Sequence, residues 1–276
     1  MVTKAYKNPE FLNSPEARTI RILAEFLEPA RRFRKEGIRH TIVFFGSARI
    51  KSRRDALSSL RTVKKRIHSA RGKQSAKDLE ELNRARADLD MSKYYEDCVE
   101  LARLLTEWSS KLESGQRFVV CSGGGPGIME AANRGAYNAG GKTIGLNISL
   151  PFEQYANKYI SPGLNFDFHY FFMRKLWFVY LGKALVAFPG GFGTLDELME
   201  VLTLLQTEKL HKKVTVVVYG REYWSKIVNF DELVRLGMIS PGDMKLFRFA
   251  DTPQEAFEYL KKGLLKNYPA PNGKHR

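Results

Sequence analysis

Glu197 stands three residues after Thr194 in the run Pro189-Gly190-Gly191-Phe192-Gly193-Thr194-Leu195-Asp196-Glu197, and that spacing suits phosphate binding beside a carboxylate. Bare glycine backbone lets N–H groups approach an anion, and a helix N-terminus adds partial positive charge. Gly190, Gly191 and Gly193 are therefore candidate phosphate ligands. Thr194 can cap the helix and donate its hydroxyl to the same group. Glu197 on the first turn then holds an acid next to a phosphate, which suggests chemistry there and not binding alone.

The elements that must position this run are legible around it. The apolar stretch 184–188 reads as a buried parallel strand, and the periodic segment 195–205 as a helix. Two further strands end in small-residue turns. Residues 118–121 lead into Ser122-Gly123-Gly124-Gly125-Pro126-Gly127 and a helix at 128–139, and residues 41–45 lead into Gly46-Ser47-Ala48-Arg49. Three such turns belong at the carboxyl edge of one parallel sheet, where open α/β folds bind ligands. A single turn would be explained by chain reversal alone; three converging turns favour a nucleotide-like pocket.

Two familiar phosphate motifs are near misses. Gly123, Gly125 and Gly127 lack the final glycine of G-x-G-x-x-G, because Ile128 stands there, and the next strand ends in Asn147 instead of a ribose-binding acid. Gly141-Lys142-Thr143 resembles the tail of a P-loop, but Gly135 lies one residue too far upstream and the segment runs from helix to strand. Dehydrogenase and P-loop NTPase readings are rejected on these grounds.

Composition narrows the class further. The 276 residues suffice for one large α/β domain with additions. No apolar run has the length of a membrane span and no signal peptide opens the chain, so a cytoplasmic protein is expected. Cys98 and Cys121 offer neither a disulfide framework nor metal spacing, and the five histidines form no zinc cluster. Neither a metal nor a cofactor is expected. Cys121 is a conceivable nucleophile, but a buried core thiol is the better reading. The net charge of +15 is concentrated: residues 51–77 carry ten Lys or Arg and one acid, Asp55. No aromatics interleave these charges as in single-strand binders, so a solvated helical face is preferred and nucleic acid is not the expected partner.

Along the chain, Ser14-Pro15-Glu16 starts a helix within an N-terminal helical extension over residues 1–40. Residues 51–92 read as an inserted helical hairpin, with one stripe of Leu57, Leu60, Val63 and Ile67, another of Leu79, Leu82, Ala85 and Leu89, and Gly72 between them. A separate helix at 94–112 should then cross to the second strand. Further strands are expected at 143–146 and 214–219, a loop from Ser149 through Pro151 to Pro162, and a helix at 170–182. Residues 269–276 read as a flexible tail. The expected fold is a single α/β domain, a doubly wound, Rossmann-like parallel sheet with the hairpin inserted.

At Phe171-Phe172-Met173-Arg174-Lys175 the pattern becomes specific. An Arg-Lys pair on a helix, then a strand, Pro-Gly-Gly-x-Gly-Thr-x-x-Glu and a helix, resembles the Lonely-guy family of cytokinin riboside 5′-monophosphate phosphoribohydrolases and related bacterial nucleotide nucleosidases. Gly123 to Glu130 matches that family's glycine loop and Gly46-Ser47-Ala48 its first turn, over roughly residues 41–220 apart from the insertion. The resemblance implies hydrolysis of the N-glycosidic bond of a nucleoside 5′-monophosphate to free base and ribose 5-phosphate. It carries the catalytic pair onto Arg174 and Glu197, and a pocket near a dimer contact. Members often bear the label lysine decarboxylase, but no pyridoxal-binding lysine with a partner acid is visible here.

The same residues make chemical sense without the family. Breaking a glycosidic bond builds positive charge on the ribose, which a carboxylate can stabilise while activating water. Glu197 is the candidate base and ribose anchor; Arg174 can bind phosphate or assist the departing base. The bland alternatives are a first-turn acid for Glu197 and, for Arg174, an ion pair with Asp196 or Glu200. Gly46, Ser47, Gly124 and Gly125 complete the turns, with Met129 and Glu130 as possible purine and ribose contacts and Lys175 as a further binding candidate or a simple ion-pair partner. The large apolar side chains around Arg174, including Phe171, Phe172, Leu176 and Tyr180, predict a homodimer or higher homo-oligomer. A non-catalytic carrier of a nucleotide or of the molybdenum cofactor on the same fold is the competing reading.

Overall fold

Runs of β-branched and aromatic residues without an internal turn former become strands when both faces can be covered. The computed structural model, which describes residues 3–69, 75–150 and 155–269, arranges seven of them in one sheet. They are β1 (His40–Phe45), β2 (Phe118–Ser122), β3 (Thr143–Ile148), β4 (Asn165–Phe168), β5 (Gly182–Ala187), β6 (Thr215–Tyr219) and β7 (Phe247–Ala250). Every pairing is parallel, in the order β4-β3-β2-β1-β5-β6-β7. The order reverses direction at β1, so the carboxyl ends of β2, β1 and β5 flank the crevice where such sheets bind ligands.

The helices are α1 (Pro9–Asn13), α2 (Arg18–Lys35), α3 (Arg53–Ser69), α4 (Ala76–Ser110), α5 (Ile128–Asn138), α6 (Phe171–Leu181), α7 (Phe192–Gln206), α8 (Arg221–Ile227), α9 (Phe230–Arg235) and α10 (Pro253–Asn267). They cover both faces of the sheet. One apolar layer joins Leu101 and Leu105 of α4, Ala132 of α5 and Leu260 of α10 to Ile42, Val120 and Val217. The other joins Phe33 of α2, Trp177 and Phe178 of α6 and Leu198 of α7 to Val43, Leu185 and Val218. The doubly wound α/β class expected from the strand–glycine–helix units is the fold observed.

Two features differ from the sequence reading. The crossover helix does not start near residue 94: α4 is continuous over 35 residues and contains the second hairpin stripe. No glycine or proline interrupts 76–110, and a capping box at Ser75 and Asp78 starts the helix. Leu60 and Val63 of α3 pack on Leu82 and Ala85 of α4, and Arg66 bridges to Glu81 at 2.5 Å and Asp78 at 3.2 Å. The hairpin's stripes therefore do face each other, on an arm continuous with the core. The second difference is the edge strands β4 and β7, four residues each, too short to stand out by periodicity. The expected hairpin turn at Gly72, the Pro151-to-Gln154 part of the loop and the tail beyond residue 269 lie outside the described residues.

Candidate active site

The three turns found in the sequence meet at one place and are tied together through backbone. Ser47 N–H donates to the Pro189 carbonyl at 3.0 Å and Ile128 N–H to the Ser47 carbonyl at 3.1 Å. Gly127 makes this contact possible: its φ is +70° and a Cβ there would run into the Ser47–Ala48 backbone. Above the joined turns lies a cavity of about 750 Å³, lined among others by Gly46, Ser47, Gly123, Met129, Arg174, Gly190, Gly191, Gly193, Thr194 and Glu197.

The α7 end of the cavity has the character of an anion site. Its N-cap is Gly191, which supplies no side-chain cap; the Thr194 and Leu195 N–H groups donate to the Gly191 carbonyl at 3.0 Å, so Phe192 and Gly193 carry the N–H groups that a helix start leaves for an outside acceptor. Nothing stands within 4 Å of where a Cβ would sit on Gly191 or Gly193, so bare backbone faces the cavity. Thr194 is buried beside Gly190. Glu197 follows one turn later, about 5 Å further along the helix.

Glu197 is 7 % exposed, and its Oε2 is buried with no hydrogen-bond partner. Burial raises its pKa to about 7, against the opposing pull of Lys175 and Arg174. Arg174 is half-buried. Its Nε donates to the main-chain oxygen of Leu146 at 2.7 Å, and desolvation lowers its pKa while Glu197 opposes that shift. Gly123 leaves the room: a Cβ there would come within 2.5 Å of an Arg174 terminal nitrogen and 2.6 Å of the Met129 sulfur. Arg174 and Glu197 thus act on each other as opposite charges close to the N-terminus of α7.

The other candidates are placed as follows. Lys175 is not itself a lining residue; it pairs with Glu200 at 2.6 Å and with Asp196, which does line the cavity, at 3.0 Å, and stands 3.8 Å from Glu197. The acids considered as partners for Arg174 are thus occupied by its neighbour. Glu130 lies outside the lining and accepts a 2.8 Å hydrogen bond from Tyr95, itself buried on α4. Gly124 and Gly125 lie behind the lining, their carbonyls accepting from the Asn157 side chain at 3.0 and 3.1 Å. Asn157 was not picked out in the sequence because it reaches these carbonyls across more than thirty residues. Cys121 is buried, and burial pushes its thiol pKa well up, which disfavours a thiolate.

The lining also includes residues that the motifs did not mark. Phe171 lines the cavity and is half exposed, although a subunit contact was its expected role. Ile50 follows the first turn, whose last residue Arg49 also lines the cavity, Met91 comes from α4, and Tyr223 and Ile227 come from α8. The only local signal of Ile50, Met91, Tyr223 and Ile227 is apolar or aromatic character next to a turn or on a helix face. Among the described residues, no group of three or more His, Cys, Asp or Glu side chains is placed to hold a metal ion, and no helix is long and apolar enough to cross a membrane.

Residues 129–260 match the family model described as "Possible lysine decarboxylase". A protein of Oryza sativa subsp. japonica named "Probable cytokinin riboside 5'-monophosphate phosphoribohydrolase" is 30% identical over 149 residues, 52% of this chain and 68% of that protein. A second from the same plant is 30% identical over 146 residues, but the match spans only 57% of its length. A cytokinin riboside 5'-monophosphate phosphoribohydrolase of Arabidopsis thaliana is 28% identical over 158 residues, covering 56% of this chain and 72% of that protein. Among solved structures, the structural-genomics target TM1055 aligns with a TM-score of 0.47 at 18% identity, covering 81% of this chain and 99% of that one. The molybdenum cofactor binding protein from Rippkaea orientalis aligns with a TM-score of 0.44 at 21% identity, covering 61% and 86%.

Proposed function

The chain belongs to the Lonely-guy family, and from that premise we propose that it hydrolyses the N-glycosidic bond of a nucleoside 5′-monophosphate, AMP-like or a cytokinin riboside monophosphate, to free base and ribose 5-phosphate. The observation that carries the reading is the buried Glu197 carboxyl, one helical turn from an open-glycine helix N-terminus and under the charge of the half-buried Arg174. In this mechanism the 5′-phosphate rests on the backbone of Gly191 and Gly193 and the hydroxyl of Thr194. The ribose then lies against Glu197. As the C1′–N bond breaks, its electron pair leaves with the base, which takes up a proton, and positive charge develops on the ring. The Glu197 carboxylate stabilises that charge and accepts a proton from the water whose oxygen adds to C1′. Low dielectric strengthens both effects, since the carboxylate has no competing hydrogen bond on Oε2. Arg174, close to Gly123 and Met129, then serves the departing base.

The test is to incubate the purified protein with a panel of nucleoside 5′-monophosphates and the matching nucleosides, and to follow released base by chromatography. Base release from monophosphates but not from nucleosides supports the assignment. Tight nucleotide binding without base release would establish instead the non-catalytic carrier reading. The face carrying Phe172, Leu176 and Tyr180 of α6, all exposed, is the surface through which we expect the chain to form a homodimer.

A further inference from the structure

We propose that the cavity contains a second compartment, beyond the phosphate site, which binds the distal half of a nucleotide extended through its 5′-phosphate, the chemical class of a dinucleoside diphosphate. The proposal rests on the phosphate position assigned above. Its starting point is the extent of the cavity along the sheet. Ile148 ends β3, Gly123 follows β2, Gly46 follows β1, Gly191 follows β5, and Tyr223 and Ile227 lie on the helix after β6. These five strands are consecutive neighbours, so four inter-strand gaps, about 19 Å, separate β3 from β6, and Tyr223 reaches back from the β6 side to the turn after β5. A monophosphate bound as described occupies only part of that length. Its phosphate sits after β5 and its base points towards Arg174, which is anchored on β3 and lies beside Gly123 after β2. Nothing in such a ligand reaches the β6 end.

The β6 end has its own chemistry. Tyr223 and Ile227 of α8 line it, and Ile50 and Met91 add apolar surface to the same cavity, the kind of surface that takes a planar base. Tyr223 is fixed in place, because its hydroxyl donates to the Gly190 carbonyl at 2.9 Å. That bond seats the ring directly against the phosphate turn, so a group joined to the phosphate would meet it first. Arg49 stands at the rim with an exposed side chain, on a backbone held by the Ser47 hydroxyl at 3.1 Å, and can pair with a second phosphate. Ile227 is 50 % exposed, apolar area that a bound base would remove from water. Met91 joins the lining from α4, the long helix continuous with the inserted arm, so the insertion helps shape the cavity.

The experiment is calorimetric titration of AMP, ADP and P1,P2-di(adenosine 5′) diphosphate into the Glu197→Gln protein, in which turnover is slowed, and into the same protein carrying Ile227→Glu or Arg49→Ala. Both added positions are solvent-accessible, and circular dichroism checks the fold. The dinucleotide is expected to bind at least roughly tenfold more tightly than AMP, and each added substitution to bring that ratio towards one. A ratio of one in the parent protein, or a ratio that survives both substitutions, overturns the proposal. If the wild type still releases adenine from AMP in that case, only the second compartment fails. If no nucleotide binds and none is cleaved, the phosphate assignment fails with it.

Discussion

Replacing Glu197 by glutamine should inactivate the protein while making it more stable in alkaline solution. The carboxyl is 7 % exposed and its pKa lies at about 7 instead of 4.5, chiefly because burial penalises the charged form. A carboxyl whose folded pKa is raised binds more protons folded than unfolded between those two values. Stability therefore falls as pH rises from about 4.5 to about 7 and stays low above that. At 1.36 kcal/mol per unit, the ionised side chain costs the fold up to about 3 kcal/mol. Glutamine has the same shape and never ionises. At pH 8.5 the variant should melt higher than wild type by as much as about 5 °C for a chain of this size, whereas near pH 5 the two should nearly coincide. The gain at pH 8.5 is an upper bound, because Arg174 loses the carboxylate that favours its own charge. Base release from AMP should meanwhile fall by roughly two to four orders of magnitude, the usual scale for losing an acid–base group. The assay is differential scanning fluorimetry at both pH values together with base release, and the variant-minus-wild-type difference cancels the other titrations. A variant that melts lower than wild type by the same amount at both pH values would refute the argument, because the carboxylate would then be a stabilising partner. Full activity in the variant would refute its catalytic role.

Three further outcomes follow from the same geometry. In the wild type, kcat/KM for AMP should rise with pH through an apparent pKa of about 7, since the carboxylate is the working form; a flat profile between pH 5.5 and 8.5 would contradict this. Gly123→Ala should displace the Arg174 guanidinium and the Met129 thioether, lowering kcat/KM by about a hundredfold while the melting temperature moves little; equal activity would mean that Arg174 need not sit where it does. Leu176→Glu places a charge on the exposed apolar face of α6 and should yield monomers by sedimentation; a wild type already monomeric at all concentrations would remove the basis for that expectation.

Much of the site was legible because its signals are local. A strand followed by glycines and a helix N-terminus is a backbone device, so residues 41–49, 118–128 and 184–197 announce it in the order of their residue types alone. The apolar runs of β1, β2, β5 and β6 read as strands for the same reason: a strand buried on both faces needs no polar alternation. Arg174 and Glu197 could be named from spacing and resemblance. Their protonation could not, because it depends on how many atoms from distant segments exclude water from them. Nor could the sequence decide between adjacent basic residues. Arg174 turns to the Leu146 carbonyl and Lys175 to Asp196 and Glu200, a choice made by the packing of α6 between the sheet and α2. Glu130 was a plausible ribose contact by its place after the glycine loop, yet its partner is Tyr95, from the far side of the crossover. The short edge strands β4 and β7 owe their conformation to the neighbours they pair with. The sequence by itself determined the sheet's central strands, the phosphate-type turns and the identities of the two charged residues, because each is specified within a few residues of chain. Only the tertiary structure decided which side chains share the cavity and how far it extends towards β6, because strand order and helix packing bring those residues together from opposite ends of the chain.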